Sequence, residues 1–371
     1  MNLINISGMQ AALTTVLDAQ AREHVVAVVK GTFLLPSGQG AVQLVPQDAQ
    51  QPMTTADTFF GEPGMSAPRL ESEFALRKAR CDIVLNGHAY PPGGEPAERC
   101  TVGLRVGSWQ KILNVVGDRV WRRRGVSLGP SSPEPFVQVP LTYGRAFGGV
   151  DDTDSDQAVS YARNPVGRGF GSQRSGGDLI GRAVANLEFP DDPIQVPWGS
   201  YAPASLGIVH RSWQPRLAYA GTYDQAWLDQ TFPFLPADFD ARHYQSAAED
   251  QQLPFLTGAT PIVLVNLTRA GRLQCSLPSD LRMPVTFFPR DGAPEETLAT
   301  LDTIVLEPDD GRIQMVWRCS RRLRRDVFEM REVMTGEPSK AWRRARARGK
   351  VYYPRLGALV ETEMLCRKER R

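Results

Sequence analysis

The stretch "RCTVGLRVGSWQKILNVVGDRVWRRR", Arg99–Arg124, decides the fold class of this chain of 371 residues. In its first half Val102, Leu104 and Val106 alternate with smaller or polar residues, the two-residue period of a strand with one buried face. Gly107–Ser108 then predicts a tight hairpin turn into a second strand. The stretch therefore predicts consecutive antiparallel strands.

Similar patterns extend in both directions, and Gly117–Asp118 predicts a second hairpin turn. The β-branched apolar run Glu23–Pro36 predicts a buried strand that ends at its proline. Further strands are predicted at Lys78–Pro92, Pro135–Tyr143, Thr260–Thr268, Gly271–Pro278 and around a hairpin turn at Asp309–Gly311. The fold class is therefore mainly β, with antiparallel β-sandwich or barrel-like lobes.

Composition agrees with short strands joined by many turns. Hydrophobic residues make up 42% of the chain, and its 33 glycines and 29 prolines interrupt long periodic elements. The length exceeds what one core usually holds, so either two lobes or one elaborated domain is expected. No apolar run approaches the roughly 18 residues of a membrane span, so no membrane partner is predicted.

The start of the chain lacks an export signal, and the five cysteines are odd in number and widely spaced. Both features predict a cytoplasmic protein with reduced thiols and no disulfide frame. The formal net charge of +2 is unevenly distributed. From Arg318 onward 17 Lys/Arg stand against 7 Asp/Glu, which leaves the preceding residues with a net charge of −8. This basic end either binds an acidic partner or folds back on its own acidic body.

Regular pattern is nearly absent from residues 141–254, where glycine, proline and aromatic residues dominate. Disordered segments are poor in aromatics, so an ordered, loop-rich layer is predicted here. Ala220–Gln230 predicts a short helix that begins near Thr222 or Asp224. Four regions follow: a β lobe over 1–140, the loop-rich segment over 141–254, completing strands over 255–320 and a basic helical tail over 321–371. Helices are expected in the tail at Arg324–Met334 and Ser339–Gly349.

The sequence contains several partial matches to known chemical sites. The aspartates of Asp151–Asp156 fail as a calcium loop because Gln157 and Arg163 replace the required glycine and glutamate. Gly167–Gly171 lacks the strand and helix of a phosphate loop, and no Gly-x-Ser-x-Gly or His-Glu-x-x-His motif is present. No metal, cofactor or catalytic residue is predicted. Two alternatives stay open: a carbohydrate-active hydrolase that uses Glu188, Asp224, Asp238 or Asp240, and nucleic-acid binding through the tail.

A series of ordered motifs carries a family resemblance. They are "VVKGTF" (Val28–Phe33), "ADTFFGEP" (Ala56–Pro63), "CDIVLNGHAYPPGG" (Cys81–Gly94), "VVGDRVW" (Val115–Trp121), "PLTYGRAFGG" (Pro140–Gly149), "NPVGRGF" (Asn164–Phe170), "NLEFP" (Asn186–Pro190), "WQPR" (Trp213–Arg216), "AGTYDQAW" (Ala220–Trp227), "FPFLPADFD" (Phe232–Asp240) and "QQLPFLTG" (Gln251–Gly258). With these motifs the chain resembles the bacterial domain-of-unknown-function 2169 family over roughly residues 20 to 280.

The resemblance implies a non-enzymatic adaptor or chaperone of type VI secretion. Such a protein binds a secreted effector, often one with a PAAR-type tip domain, and helps to load it onto the valine-glycine-repeat spike protein. The family supplies no catalytic residues, so only binding or scaffold candidates are taken from the matching motifs. They are Tyr143, Phe147, Gly148, Gly149, Asn164, Pro165, Gly167, Gly169, Phe170, Trp213, Pro215, Arg216, Tyr223, Asp224, Trp227 and Phe239. Candidate contacts in the tail are Trp342, Arg343, Arg344, Arg346 and Arg348.

Overall fold

The computed structural model describes residues 1–350 and 352 and shows a mainly β protein, as predicted. The rest of the predicted tail, residues 351 and 353–371 with Cys366, lies outside the described residues. The strands before the central segment are β1 Asn2–Asn5, β2 Gln10–Leu17, β3 Glu23–Leu34, β4 Gly40–Ala41, β5 Gln43–Leu44, β6 Thr58–Phe59, β7 Pro68–Leu70, β8 Cys81–Leu85, β9 His88–Ala89, β10 Arg99–Val106, β11 Trp109–Val116, β12 Trp121–Arg124, β13 Ser127–Pro130 and β14 Val139–Pro140.

The later elements include two short α-helices. They are β15 Phe147–Gly148, β16 Val150–Asp151, β17 Val159–Ser160, β18 Arg168–Gly169, β19 Leu187–Glu188, α1 Gln225–Gln230, β20 Gln252–Leu253, β21 Pro261–Val265, β22 Arg272–Ser276, β23 Met283–Pro289, β24 Glu295–Glu307, β25 Arg312–Arg322, β26 Met330–Thr335 and α2 Lys340–Ala347.

The larger sheet has ten strands, seven of them in the order β1-β26-β23-β24-β25-β3-β2. Of the other three strands, β8 pairs with β24, β20 pairs with β8, and β5 pairs with β3. Most neighbours are antiparallel, but β1 runs parallel to β26 and β8 runs parallel to β24. The sheet nearly closes into a barrel-like shape, because its two end strands β1 and β2 follow each other in the chain and lie in contact. The predicted turn at Asp309–Gly311 joins β24 to β25, with Gly311 in the left-handed conformation.

The second sheet has six strands in the order β19-β11-β10-β21-β22-β4. The predicted hairpin at Gly107–Ser108 joins β10 to β11, and the predicted pairing of β21 with β22 is present. Strands from before and after the central segment share both sheets, since β3 pairs with β25 and β10 pairs with β21. The loop-rich central residues are therefore held between strands that are distant in sequence.

The main hydrophobic core joins the inner faces of the two sheets. Val102, Leu104 and Val106 are buried in it, as their alternation predicts. Strand β3 is buried on both faces: Val25, Ala27 and Val29 enter the main core, whereas its alternate valines pack in a separate cluster with Leu76. Burial on both faces explains why this strand is apolar without alternation.

Two local predictions are wrong. Gly117–Asp118 is not a hairpin turn, because β12 pairs with β13 and not with β11. Instead the Gly117 backbone passes so close to Glu134 that a Cβ atom there would lie 1.8 Å from its carbonyl oxygen. Arg324–Met334 is not a helix; its second half is β26, which lies between β1 and β23 and buries Met330 and Val333. Tertiary pairing here overrides the helix propensity of arginine, glutamate and methionine.

Candidate functional site

The first half of the central segment folds around one buried asparagine, and we call residues 140–171 the asparagine loop. The side-chain amide Nδ2 of Asn164 donates to the carbonyl oxygens of Tyr143, at 2.8 Å, and of Phe147, at 3.1 Å. The main-chain N–H of Gly149 donates to the carbonyl oxygen of Asn164 at 2.8 Å. Asn164 therefore holds two passes of the chain together through both its side chain and its backbone.

Glycines allow these two passes to come close. Gly148 has a φ of +149°, and a Cβ atom at this position would lie 2.1 Å from the carbonyl oxygen of Asn164. A Cβ atom at Gly167 would lie 2.3 Å from Nδ2 of Asn164. Strands β15 and β18 pair in parallel across this contact, with Gly148 opposite Gly169. These glycines are required for the close approach of the backbone and leave no side chain for a partner.

The aromatic residues of the asparagine loop form a small core. Phe147 is fully buried and makes edge-on contacts with Tyr161, Phe170 and Tyr201 at ring-centroid distances of 5.2, 6.3 and 4.8 Å. The hydroxyl of Tyr161 donates to the carbonyl oxygen of Tyr201 at 2.6 Å. Phe147 and Phe170 are thus scaffold residues of the loop layer and not exposed anchors.

The first aspartate of the loop is structural. Asp151 is buried and accepts hydrogen bonds from the main-chain N–H of Ser172 at 2.7 Å and from the hydroxyls of Ser175 at 2.6 Å and Thr153 at 2.7 Å. Burial acts to raise the pKa of the Asp151 carboxyl, but these hydrogen bonds outweigh it and hold that pKa well below its usual range. The other three aspartates of Asp151–Asp156 are exposed.

The Trp213–Arg216 motif is also buried. Trp213 contacts Tyr143 edge-on at 5.6 Å, within the main core. The guanidinium of Arg216 donates to the carbonyl oxygens of Val209 and His243, both at 2.8 Å, and forms an ion pair with Glu71 at 2.8 Å. Trp213 and Arg216 therefore fasten the loop layer to the body, and Pro215 lies between them.

A short, internally braced segment follows, and we call Gly221–Phe239 the aromatic knuckle. Helix α1 begins after Asp224, whose carboxylate accepts from the main-chain N–H of Trp227 at 2.8 Å, as the sequence predicts. The indole N–H of Trp227 donates to the carbonyl oxygen of Phe234 at 2.9 Å. The ring of Trp227 packs edge-on against Tyr223 at 4.7 Å and Phe232 at 5.6 Å. Trp227 thus packs between the exposed rings of Tyr223 and Phe232 and is bonded to the backbone at Phe234.

Four large apolar residues are exposed within the knuckle, more than in any other stretch of equal length outside it among the described residues. The exposed fractions of its large apolar residues are 54% for Tyr223, 51% for Leu228, 61% for Phe232 and 41% for Phe234. Phe239, at its end, packs edge-on against His243 and Tyr244 and joins the knuckle to the loop layer. Of these residues, Leu228, Phe232 and Phe234 were absent from the sequence-based candidates. Pro233, between the two phenylalanines, and Pro236, two residues after Phe234, are the sequence signal of a rigid turn here.

The basic helix α2 folds back on the body. The hydroxyl of Ser339 accepts from the main-chain N–H of Trp342 at 3.1 Å at its start. Arg346 forms an ion pair with Glu332 of β26, and its guanidinium lies 4.2 Å from the ring centroid of Phe288. Arg343 pairs with Glu337 at 2.9 Å, whereas Arg344 and Arg348 are exposed. Of the four arginines, two are thus paired within the described part of the chain.

The carboxylates considered for hydrolysis each have a structural partner. Glu188 is buried in an ion pair with Arg119 at 2.6 Å, and Asp240 pairs with Arg242 at 2.6 Å. Asp224 caps α1, and Asp238 accepts from the main-chain N–H of Thr222 at 3.0 Å, a bond that lowers the pKa of Asp238. Within residues 1–350 and 352, no group of three His, Cys, Asp or Glu side chains is placed to hold a metal ion.

A cavity of about 440 Å³ lies between Lys111, Tyr143 and Arg163. The amine of Lys111 at its wall is buried and bound to Asp250 at 2.8 Å and to the side-chain oxygen of Gln251 at 2.7 Å. Burial lowers the pKa of Lys111, opposed by the charge of Asp250. These partners satisfy the amine of Lys111, so this cavity has no free charged group at that wall. The knuckle is therefore the clearer candidate site, as an exposed apolar surface for another macromolecule.

The described residues thus form a mainly β protein with a buried loop scaffold and an exposed aromatic segment, the knuckle. The model of the family DUF2169, described as an uncharacterised protein conserved in bacteria, matches residues 20–318, and the chain belongs to this family. No curated protein and no solved structure matches the chain. No helix among the described residues is long and apolar enough to cross a membrane.

Proposed function

We propose that this protein is a non-enzymatic adaptor that binds another protein through the aromatic knuckle. The observation that carries the proposal is the exposure of Tyr223, Leu228, Phe232 and Phe234 on one short, braced segment. Large exposed apolar surfaces on soluble proteins mark interaction sites, and aromatic residues supply much of the binding energy of an interface.

The internal contacts of the knuckle support a role in binding, because they order the exposed side chains before a partner arrives. Trp227 contacts Tyr223 and Phe232 edge-on and donates to the backbone at Phe234, so these groups are already ordered in the free protein. A preordered surface loses less conformational entropy when a partner binds. At the end of the knuckle Phe239 packs on His243, whose carbonyl oxygen accepts from Arg216, so the Trp213–Arg216 motif is linked to the knuckle.

We further propose that the partner is a secreted effector of type VI secretion. The family resemblance supports this step: such an adaptor meets its effector in the cytoplasm, often at a PAAR-type tip domain, and assists loading onto the valine-glycine-repeat spike protein. The knuckle would cover apolar surface of the effector until the effector docks on the spike.

A pull-down from cells with an active type VI system tests the proposal. The tagged protein is expected to recover an effector, a PAAR-type tip protein or the spike protein. Phe232→Ser should weaken recovery, because loss of a central aromatic anchor typically costs about 2 kcal/mol or more of binding. Phe328→Ser is the matched control, since Phe328 is 73% exposed but lies outside the knuckle.

Two results would contradict the proposal. One is recovery of none of these proteins by the wild type. The other is equal recovery by the wild type and by Phe232→Ser, which would place binding elsewhere. The four carboxylates named for the hydrolase alternative each have a structural partner, which supports the adaptor proposal over that alternative.

A further inference from the structure

The charge of the aromatic knuckle narrows the kind of segment that it can bind. Between Gly221 and Phe239 the chain contains three aspartates, Asp224, Asp229 and Asp238, and no Lys, Arg or His. None of the three has an ion-pair partner among the described residues, whereas the adjacent Arg242 is already paired with Asp240. The three carboxylates accept hydrogen bonds from neutral groups of the knuckle, so this exposed segment carries three negative charges with no cation paired to them among the described residues.

Aromatic rings and carboxylates attract the same class of group. The face of an aromatic ring is negative and binds a guanidinium or ammonium group, with the strongest effect where water is excluded. A carboxylate at the edge of such a ring adds a second attraction to the same cation. The neighbouring Arg242 already stacks on Tyr219, with the guanidinium carbon 4.2 Å from the ring centroid, while it pairs with Asp240. Arg242 thus displays, within the chain, the contact that the knuckle offers to a partner.

We infer that the aromatic knuckle binds a basic, apolar segment of its partner protein, with arginine or lysine side chains placed against Tyr223 and Phe232 and between the three aspartates. Leu228, exposed on α1, requires that the segment also carries apolar side chains. The inference rests on the proposed function in one respect, that the knuckle is the binding surface for a protein. Nucleic acid and anionic lipid surfaces are disfavoured occupants, because their phosphates repel uncompensated carboxylates.

The test uses the full-length protein and three fluorescent peptides of equal length. Each peptide contains the same leucine and tryptophan positions, and the remaining positions carry arginine, glutamine or glutamate. Anisotropy is measured at low and at physiological ionic strength. The arginine peptide is expected to bind about tenfold more tightly than the glutamine peptide at low salt, a difference of about 1.4 kcal/mol, and the glutamate peptide more weakly than either. The difference should shrink at about 0.15 M salt because exposed charges are screened.

Isosteric variants separate charge from apolar contact. In the triple variant Asp224→Asn, Asp229→Asn and Asp238→Asn, the preference for the arginine peptide should disappear, while asparagine still caps α1. The matched control replaces the exposed aspartates Asp48, Asp191 and Asp192 with asparagine and should keep the preference. Phe232→Ser should weaken the binding of all three peptides.

Four outcomes would overturn the inference. They are absence of binding by the arginine peptide, equal binding of the arginine and glutamine peptides, a preference that persists in the triple knuckle variant, and loss of the preference in the control variant. A second copy of the chain is a different occupant. Sedimentation that shows a wild-type dimer, dissociated by Phe232→Ser, would therefore also contradict it.

The pull-down distinguishes failure of this inference from failure of the proposed function. The triple aspartate variant could recover the effector as well as the wild type does, while Phe232→Ser does not. In that case the adaptor function stands, and the inference that the partner segment is basic is wrong. If the peptides show the expected preference but no effector or spike protein is recovered, the secretion role alone fails.

Discussion

The asparagine loop and the aromatic knuckle use the same kinds of residue for opposite purposes. Both are rich in glycine or proline and in aromatic side chains. In the loop, the amide of Asn164 is hydrogen-bonded to buried carbonyl oxygens, and the ring of Phe147 is buried in an aromatic cluster. In the knuckle, Trp227 braces rings whose outer surfaces are left open. The two regions therefore differ in whether the chain itself covers the aromatic side chains, and this difference sets the proposed binding surface apart from the scaffold.

The largest loss of stability is expected from Gly148→Ala. The new Cβ atom would lie 2.1 Å from the carbonyl oxygen of Asn164, at a φ of +149° that L-residues rarely adopt. Unfolding by denaturant should show a loss of about 3 kcal/mol or more. Gly177→Ala is the control, because no heavy atom lies within 4 Å of its Cβ position and its φ is not positive. A loss below that of the control variant would contradict the account of the loop.

Asn164→Ala should lower the free energy of unfolding by somewhat less than Gly148→Ala does. It removes both side-chain hydrogen bonds to the carbonyl oxygens of Tyr143 and Phe147 and leaves those buried oxygens without this partner. The expected loss is about 2 to 3 kcal/mol in the free energy of unfolding. The exposed Asn2 offers a matched Asn→Ala control that should change little. Equal stability of the two variants would show that Asn164 does not organise the loop.

Asp151 makes the stability of the asparagine loop depend on pH. Its pKa in the folded protein lies well below the usual value of about 3.9 in unfolded chains, so the carboxylate contributes stability that is fully present above that value. The contribution is lost as the pH falls from there through the folded pKa. Asp151→Asn should therefore lower stability by about 1 to 2 kcal/mol at neutral pH and flatten its decline below about pH 4. Parallel curves for the two proteins in acid would contradict this role.

The smallest effect on stability is expected from Phe232→Ser. The side chain is mostly exposed, so the free energy of unfolding should change by less than about 0.5 kcal/mol. Affinity for the partner should nevertheless fall about 30-fold, as for a buried aromatic anchor in an interface. Calorimetry of folding and of binding on the same sample would separate the two effects. A marked loss of stability with unchanged affinity would make Phe232 a scaffold residue.

Individual strands and turns could be predicted from the sequence, because each is specified by residues that are close together in the chain. The alternation of Val102, Leu104 and Val106, the turns at Gly107–Ser108 and Asp309–Gly311, and the cap of α1 by Asp224 all needed only a short window of residues. The pairing of β3 with β25, or of β8 with β24, could not be derived in this way. Those pairs join residues separated by more than two hundred positions, and no short pattern specifies the partner.

The candidate site was predicted only in part, for a related reason. Aromatic and glycine positions were identified, but the sequence does not say which rings the chain covers. Phe147 and Phe232 are both phenylalanines in irregular segments, yet one is fully buried and the other is mostly exposed. The helix prediction at Arg324–Met334 failed because β1 and β23 offer strand partners that lie far away in the sequence.

The most direct test of the difference between the asparagine loop and the knuckle is amide hydrogen exchange. Exchange is measured on the protein alone and on the protein bound to the effector recovered in the pull-down. Our account predicts that binding slows exchange at residues 222–239 and leaves the asparagine loop, already slow in the free protein, unchanged. Slowed exchange in the asparagine loop, residues 140–171, without a change at 222–239 would contradict this prediction.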